Sequence, residues 1–206
     1  TATNVTFGYD GTDSNITYTQ DKPYGNIDVG FAPDLVWWKN RDILAWHQLH
    51  DSVRGAGNRI FSNDDSATQF DAQSIKSFDT NGFTIGTSSD FNGDCVAWCW
   101  KGGGDAVPNE DGDITSQVSA NTDAGFSIVS WTGNGSDATV GHGLSKEPEM
   151  VITKGRANLA TYNSWITYHK DLTDDYVIYL DKTDAQADGI GDYWRKSAFT
   201  DDVIGL

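Results

Sequence analysis

The sequence predicts an all-β protein, an antiparallel β-sandwich made of two related units that an internal duplication would produce. Three observations carry that expectation. A stretch of the first half returns about 115 residues later: residues 33–41 (PDLVWWKNR) align with residues 148–156 (PEMVITKGR), sharing the Pro, a Val, a Lys and an Arg. The surrounding landmarks repeat in order. Gly30 precedes one copy and Gly143 the other, Trp46 with His50 follows one and Trp165 with His169 the other, and residues 7–11 (FGYDG) answer residues 129–133 (VSWTG). Second, 27 of the 30 acidic residues are Asp and the chain holds 22 Gly, residue types that suit turns better than strand or helix interiors. Third, no window keeps a long 3.6-residue apolar period, whereas short apolar runs recur between turn residues.

Each element follows from local pattern. Residues 5–9 alternate β-formers and end in Asp10-Gly11, a strand and turn, and residues 16–19 form a second β-prone piece. Residues 35–39 are apolar almost throughout, as in a central strand covered on both faces. Because Leu35 and Trp37 answer Met150 and Ile152, that face is expected to point into the core and Trp38 outward. Residues 46–53, 59–62, 75–78, 83–86 and 95–100 have strand length and bounding turns, with DTNG at 79–82 and NGD at 92–94 suited to positive φ. Short helical turns are expected only near residues 65–70 and 184–188.

Residues 1–104 then make the first unit, the Gly- and Asp-rich segment 105–115 a junction, and residues 116–206 the second unit. The second unit opens on a strand at 126–131 and continues through 151–154, 164–169, 177–180 and 198–204. Nothing in it answers the strand at 95–100, so its sheet is expected to be open on one edge; either the chain is a fragment or a neighbouring subunit or segment covers that edge. The ends of the sequence read as cuts in a longer polypeptide.

A net charge of -16 argues against sequence-independent nucleic-acid binding and against anionic membranes, both of which need Lys and Arg. A solvated acidic surface is the plain reading, and calcium held by clustered Asp the alternative. Cys95 and Cys99, four apart in a strand, would lie on one face about 13 Å apart, beyond disulfide reach, so both are expected to be free. No apolar run is long enough for a membrane span.

The landmark segments 30–41 (GFAPDLVWWKNR), 49–55 (LHDSVRG), 77–86 (SFDTNGFTIG) and 96–101 (VAWCWK) resemble a lectin-like repeat of tail-fibre and other virion proteins of tailed bacteriophages, notably marine and cyanobacterial ones. In the second half, 124–129 (AGFSIV), 132–135 (TGNG) and 141–144 (GHGL) extend the resemblance. It implies a concanavalin A-like sandwich and a virion-surface, extracellular role in assembly and host attachment, with other virion proteins as partners and a homo-oligomer, a trimer if the protein is a fibre. It carries no catalytic residues over.

The residues add weaker expectations. The laminarinase-like Glu/Asp signature is absent, and Glu147 and Glu149 precede a strand where Glu149 answers Asp34, a turn role. His47, His50, His142 and His169 lack metal-ligand spacing, and His50 and His169 are expected to be structural equivalents. The segment 109–113 (NEDGD) offers oxygens for calcium without the register of an EF-hand loop. Sugars stack on exposed aromatic rings, which makes Trp38, Trp194 and Tyr193 the candidate glycan contacts, with Trp46 and Trp165 assigned to the core. The leading expectation is a noncatalytic virion protein that contacts host glycan; a carbohydrate-active enzyme and a purely structural fibre or decoration protein are the alternatives.

Overall fold

In a computed structural model the chain is described over residues 25–157, 163–172, 176–188 and 193–206, where it is all-β with two short 3-10 turns. The expected strands at 5–9 and 16–19, and the repeat landmark at 7–11, lie outside the described residues.

The first part stacks two sheets. One orders β1 (Gly25–Asp28), β7 (Gly82–Ile85) and β6 (Ile75–Asp79). The other orders β5 (Gln69–Phe70), β4 (Asn58–Phe61), β3 (Gln48–Asp51), β2 (Leu35–Asn40) and β8 (Cys95–Trp100). Every pairing is antiparallel; β6 and β7 are joined by a tight turn at Thr80-Asn81, whereas β7 beside β1 and β8 beside β2 come from distant parts of the sequence. Ile27, Val36, Trp38, Ile75, Phe83, Ile85 and Phe91 fill the space between the sheets.

The second part has a similar but smaller arrangement, with one strand fewer in each sheet among the described residues. A sheet of β12 (Thr139–Gly141) and β17 (Val203–Gly205) faces one ordered β13 (Met150–Thr153), β14 (Ile166–His169), β15 (Tyr176–Tyr179) and β16 (Ala187–Asp188). Val140, Ile166, Tyr168, Val177, Trp194, Phe199 and Ile204 form its core. A third sheet of β9 (Val107–Asn109), β10 (Ser116–Asn121) and β11 (Phe126–Ser130) lies between the two parts in sequence. Strand β9 therefore falls inside the segment expected as a junction. Just before it, Gly102 is buried, donating its amide to Asp34 Oδ2 at 2.8 Å, and Gly103 and Gly104 bond Ser119 Oγ and Asp34. These bonds tie the stretch down.

Pairing registers give the correspondence between the parts. Ile27 opposes Phe83 as Val140 opposes Ile204, and the amide of Val29 reaches Asn81 O as that of His142 reaches Asp202 O. Gly30 and Gly143 follow, both at positive φ, where a Cβ is disfavoured. In the larger sheets Val36 opposes His50 as Val151 opposes Tyr168. His50 thus corresponds to Tyr168, not to His169, which takes the place of Asp51. A one-residue slip exchanges the faces of a strand, and so His50 is buried while His169 is half-exposed.

The face of β2 is also the reverse of the expectation. Val36, Trp38 and Asn40 point inward, and Trp37 lies on the outer face against Trp98 and Trp100, at ring separations of 6.0 and 6.5 Å. This outer aromatic cluster is why residues 35–38 are apolar on both faces, and an unbroken apolar run carries no phase. The expected helical turns at 65–70 and 184–188 are instead irregular segments ending in β5 and β16; the 3-10 turns are Ser89–Phe91 and Lys196–Ala198. Cys95 and Cys99 are free, as expected, and burial pushes both thiols up to about 12.

The parts also touch. The Trp165 indole N–H donates to Phe61 O at 2.6 Å, Thr68 N to Arg156 O at 3.0 Å and Lys154 Nζ to Asp65 O at 2.7 Å.

Candidate functional site

The inner face of the first large sheet begins as ordinary core and becomes polar toward β4. Where the second part has Ile166, Tyr168 and Val177, the first has Gln48, His50 and Arg59 at the same register positions. Burying such groups is costly unless they are bonded, and a chain of bonds offsets much of that cost, although His50 Nδ1 and Arg59 Nε are buried without a hydrogen-bond partner. His50 Nε2 meets Gln48 Oε1 at 3.1 Å, and Gln48 Nε2 donates to Asp90 Oδ2 at 2.8 Å. Because the Gln48 amide nitrogen is spent on a carboxylate, its oxygen accepts, and His50 carries its proton on Nε2. Arg59 Nη1 then bridges Asp90 Oδ2 at 3.1 Å and Asp71 Oδ2 at 3.2 Å.

Asp90 sits on the 3-10 turn Ser89–Phe91, which is anchored from below. Its carbonyl accepts from Trp38 Nε1 at 3.1 Å and Asn40 Nδ2 at 3.2 Å. Asn40 Oδ1 in turn accepts the amides of Asp42 and Ile43, which fixes the start of the loop from Arg41 to His47. That loop carries Leu44, fully exposed, and Trp46. Burial, reinforced by Arg54 and Arg59, lowers the His50 pKa to about 3, so the ring is neutral at physiological pH.

Arg59 and Asp90 surface at a shallow pocket of about 220 Å³, lined also by Leu44, Ala45, Trp46, Phe61 and Gln69. Trp46 is 44% exposed, and its ring stands on Phe61 at 4.7 Å and 66°. The Arg59 guanidinium lies 5.5 Å from the Phe61 ring centre. The result is an aromatic shelf edged by a cation, a carboxylate and an amide, the composition that holds a sugar by stacking and directional hydrogen bonds.

The three aromatic contacts named from sequence lie elsewhere. Trp38 is 3% exposed and packs on Phe91 at 4.5 Å; Trp194 is 2% exposed, against Phe199; Tyr193 is half-buried on the second core. A ring enclosed by core side chains has no free face for a sugar, so Trp38 and Trp194 are packing residues. Trp46, assigned to the core from sequence, is exposed, as Trp98 and Trp100 on the outer face are, and its register equivalent is Ser164. Trp165 is buried, as expected. The signal that would have found the site is the exchange of apolar for polar residues at three inward positions, which becomes visible once the alignment shifts by one residue.

Some of the oxygens of 109–113 are engaged within the protein. Asp111 Oδ2 accepts from Asn109 Nδ2, and Asp113 Oδ2 accepts the amide and hydroxyl of Thr139. Among the described residues no group of three or more His, Cys, Asp or Glu is placed to hold a metal ion.

Fold and site together define an all-β sandwich protein with a shallow aromatic and polar surface pocket. The chain belongs to the family described as a domain of unknown function, DUF7483, which matches residues 6–206. No curated protein and no solved structure matches it.

Proposed function

We propose that this protein is a noncatalytic binding module of a bacteriophage virion, a tail fibre or similar appendage, and that it contacts host-surface glycan through Trp46, Arg59, Asp90 and Gln69. The virion assignment rests on the resemblance of its repeated segments to phage lectin-like repeats. The glycan assignment rests on one observation: an exposed Trp on an aromatic support beside a cation and a carboxylate held by partly buried bonds, with the Gln69 amide also lining the pocket. Such prior fixing matters because a shallow site has little area with which to offset the entropy of ordering its own side chains. A noncatalytic role is favoured because hydrolysis by an acid/base pair needs two carboxyl groups facing one bond; the neighbouring Asp71 shares the Arg59 guanidinium with Asp90 but does not line the pocket.

The test is a glycan array probed with the 206-residue protein, followed by titration of any ligand found. Trp46→Ala should lower affinity about tenfold or more, the value of a sugar-stacking ring, without changing the urea midpoint. An array with no signal, or a ligand whose affinity ignores Trp46, overturns the assignment of the site.

A further inference from the structure

The two large sheets share strand order and register up to β2 and β13, and then differ. In the first, all six residues of β2 pair with β8 on the far side; in the second, β13 is the edge, with no strand beyond it among the described residues. The difference has a measurable effect on the core. Val36 is fully buried, whereas its equivalent Val151 is only half-buried. Met150 and Ile152 on the outer face are 52% and 41% exposed, where Leu35 and Trp37 are half-buried beside Trp98 and Trp100.

Strand β13 also has open backbone groups. Lys170 N donates to Glu149 O, which places Glu149, Val151 and Thr153 in the bonded sites of the β13–β14 ladder. The amides and carbonyls of Met150 and Ile152 therefore point away from β14. Proteins usually blunt such an edge with a central charge, a proline or a bulge, and the run Met-Val-Ile-Thr has none of them.

We infer that β13 is a docking edge for an extended strand of another polypeptide, added antiparallel, with small residues facing the core and larger apolar residues facing out. Strand β8 defines that chemistry. Its Cys95, Ala97 and Cys99 cap the first core while Trp98 and Trp100 flank Trp37. An equivalent strand on β13 covers Val151 with small side chains and lays apolar ones against Met150 and Ile152. A second copy of the chain is a poorer occupant, because its own β8 is already paired and two chains of net charge -16 repel. This inference is independent of glycan binding.

The probe is a fluorescent synthetic peptide of residues 93–103 with both cysteines replaced by serine, titrated into the 206-residue protein by anisotropy. Saturable binding is expected. Ile152→Pro removes an outward-pointing amide and no β13–β14 bond, so it should keep the fold and weaken the peptide about tenfold. Met150→Pro does the same at the strand start and serves if the first variant misfolds. Absence of peptide binding overturns the inference, as does binding that neither proline affects. It is equally overturned if the amides of Met150 and Ile152 resist hydrogen exchange in the free monomer, or if the protein sediments as a dimer that Ile152→Pro dissociates.

Discussion

Removing the Asp90 carboxylate should expose how much the buried polar chain contributes to stability. In Asp90→Ala the bonds from Trp38 and Asn40 survive, because they go to the backbone carbonyl. Two interactions are lost. Gln48 Nε2, on a fully buried side chain, has lost its acceptor, which costs about 1–3 kcal/mol. Arg59 keeps Asp71, and since the Arg59–Asp90 pair is partly exposed its loss adds only about 0.5–1 kcal/mol after solvent screening. The expected destabilisation is therefore about 1.5–4 kcal/mol, read as a fall in the urea midpoint at unchanged slope. Gln48→Leu deletes the orphaned donor, so in a double-mutant cycle the Asp90→Ala/Gln48→Leu protein should be about 1–2 kcal/mol more stable than the sum of the single changes implies. A single-mutant cost below about 0.5 kcal/mol, or additivity within that margin, refutes the idea that the chain acts as one bonded unit.

Other measurements bear on separate parts of the molecule. The depressed His50 pKa means that the unfolded chain binds a proton below about 6.5 that the folded chain refuses until about 3, so stability falls as pH drops through that window. Between pH 6.5 and 5, above the carboxylate range, the loss should be about 2 kcal/mol by urea titration, and His50→Gln should abolish most of it; an unchanged pH profile in that variant contradicts the burial argument. Arg54 and Asp51 form an enclosed ion pair, with Arg54 Nε 2.5 Å from Asp51 Oδ2 and Nη2 2.9 Å from Leu49 O. Arg54→Met should therefore cost about 3–5 kcal/mol, and a cost under about 1 kcal/mol would show that the pair is replaceable. The raised thiol pKa values and burial of Cys95 and Cys99 predict slow alkylation at pH 8 in the native protein and fast alkylation in urea, followed by mass spectrometry; equal rates would place the thiols at the surface.

Strand existence was largely legible where apolar residues cluster between Asp, Asn and Gly turns. The strand expected at residues 95–100 is β8 to the residue, and the segments around 35–39, 59–62 and 75–78 are β2, β4 and β6 with shifted ends. Short or polar strands escaped: β1 (GNID), β10 (SQVSAN) and β12 (TVG) owe their conformation to partners rather than to propensity. The strand expected over 198–204 is reduced to β17, because a 3-10 turn and Phe199 stand where the first part has β6. The site was hidden for a related reason. An alignment made on Trp and His landmarks paired Trp46 with Trp165, and this concealed the inward polar positions.

The sequence by itself determined the all-β class, the recurrence of one set of landmarks, the acidic surface and two cysteines too far apart to bond. These depend on composition and on local spacing, which the chain carries without its fold. Tertiary structure alone decided which of Trp37 and Trp38 is buried, that His50 matches Tyr168, that Trp46 rather than Trp38 or Trp194 is exposed, and that β13 is an open edge. Each of those depends on strand pairing, where a shift of one residue reverses every side chain, and an apolar run flanked by aromatic rings on both faces holds no record of the phase.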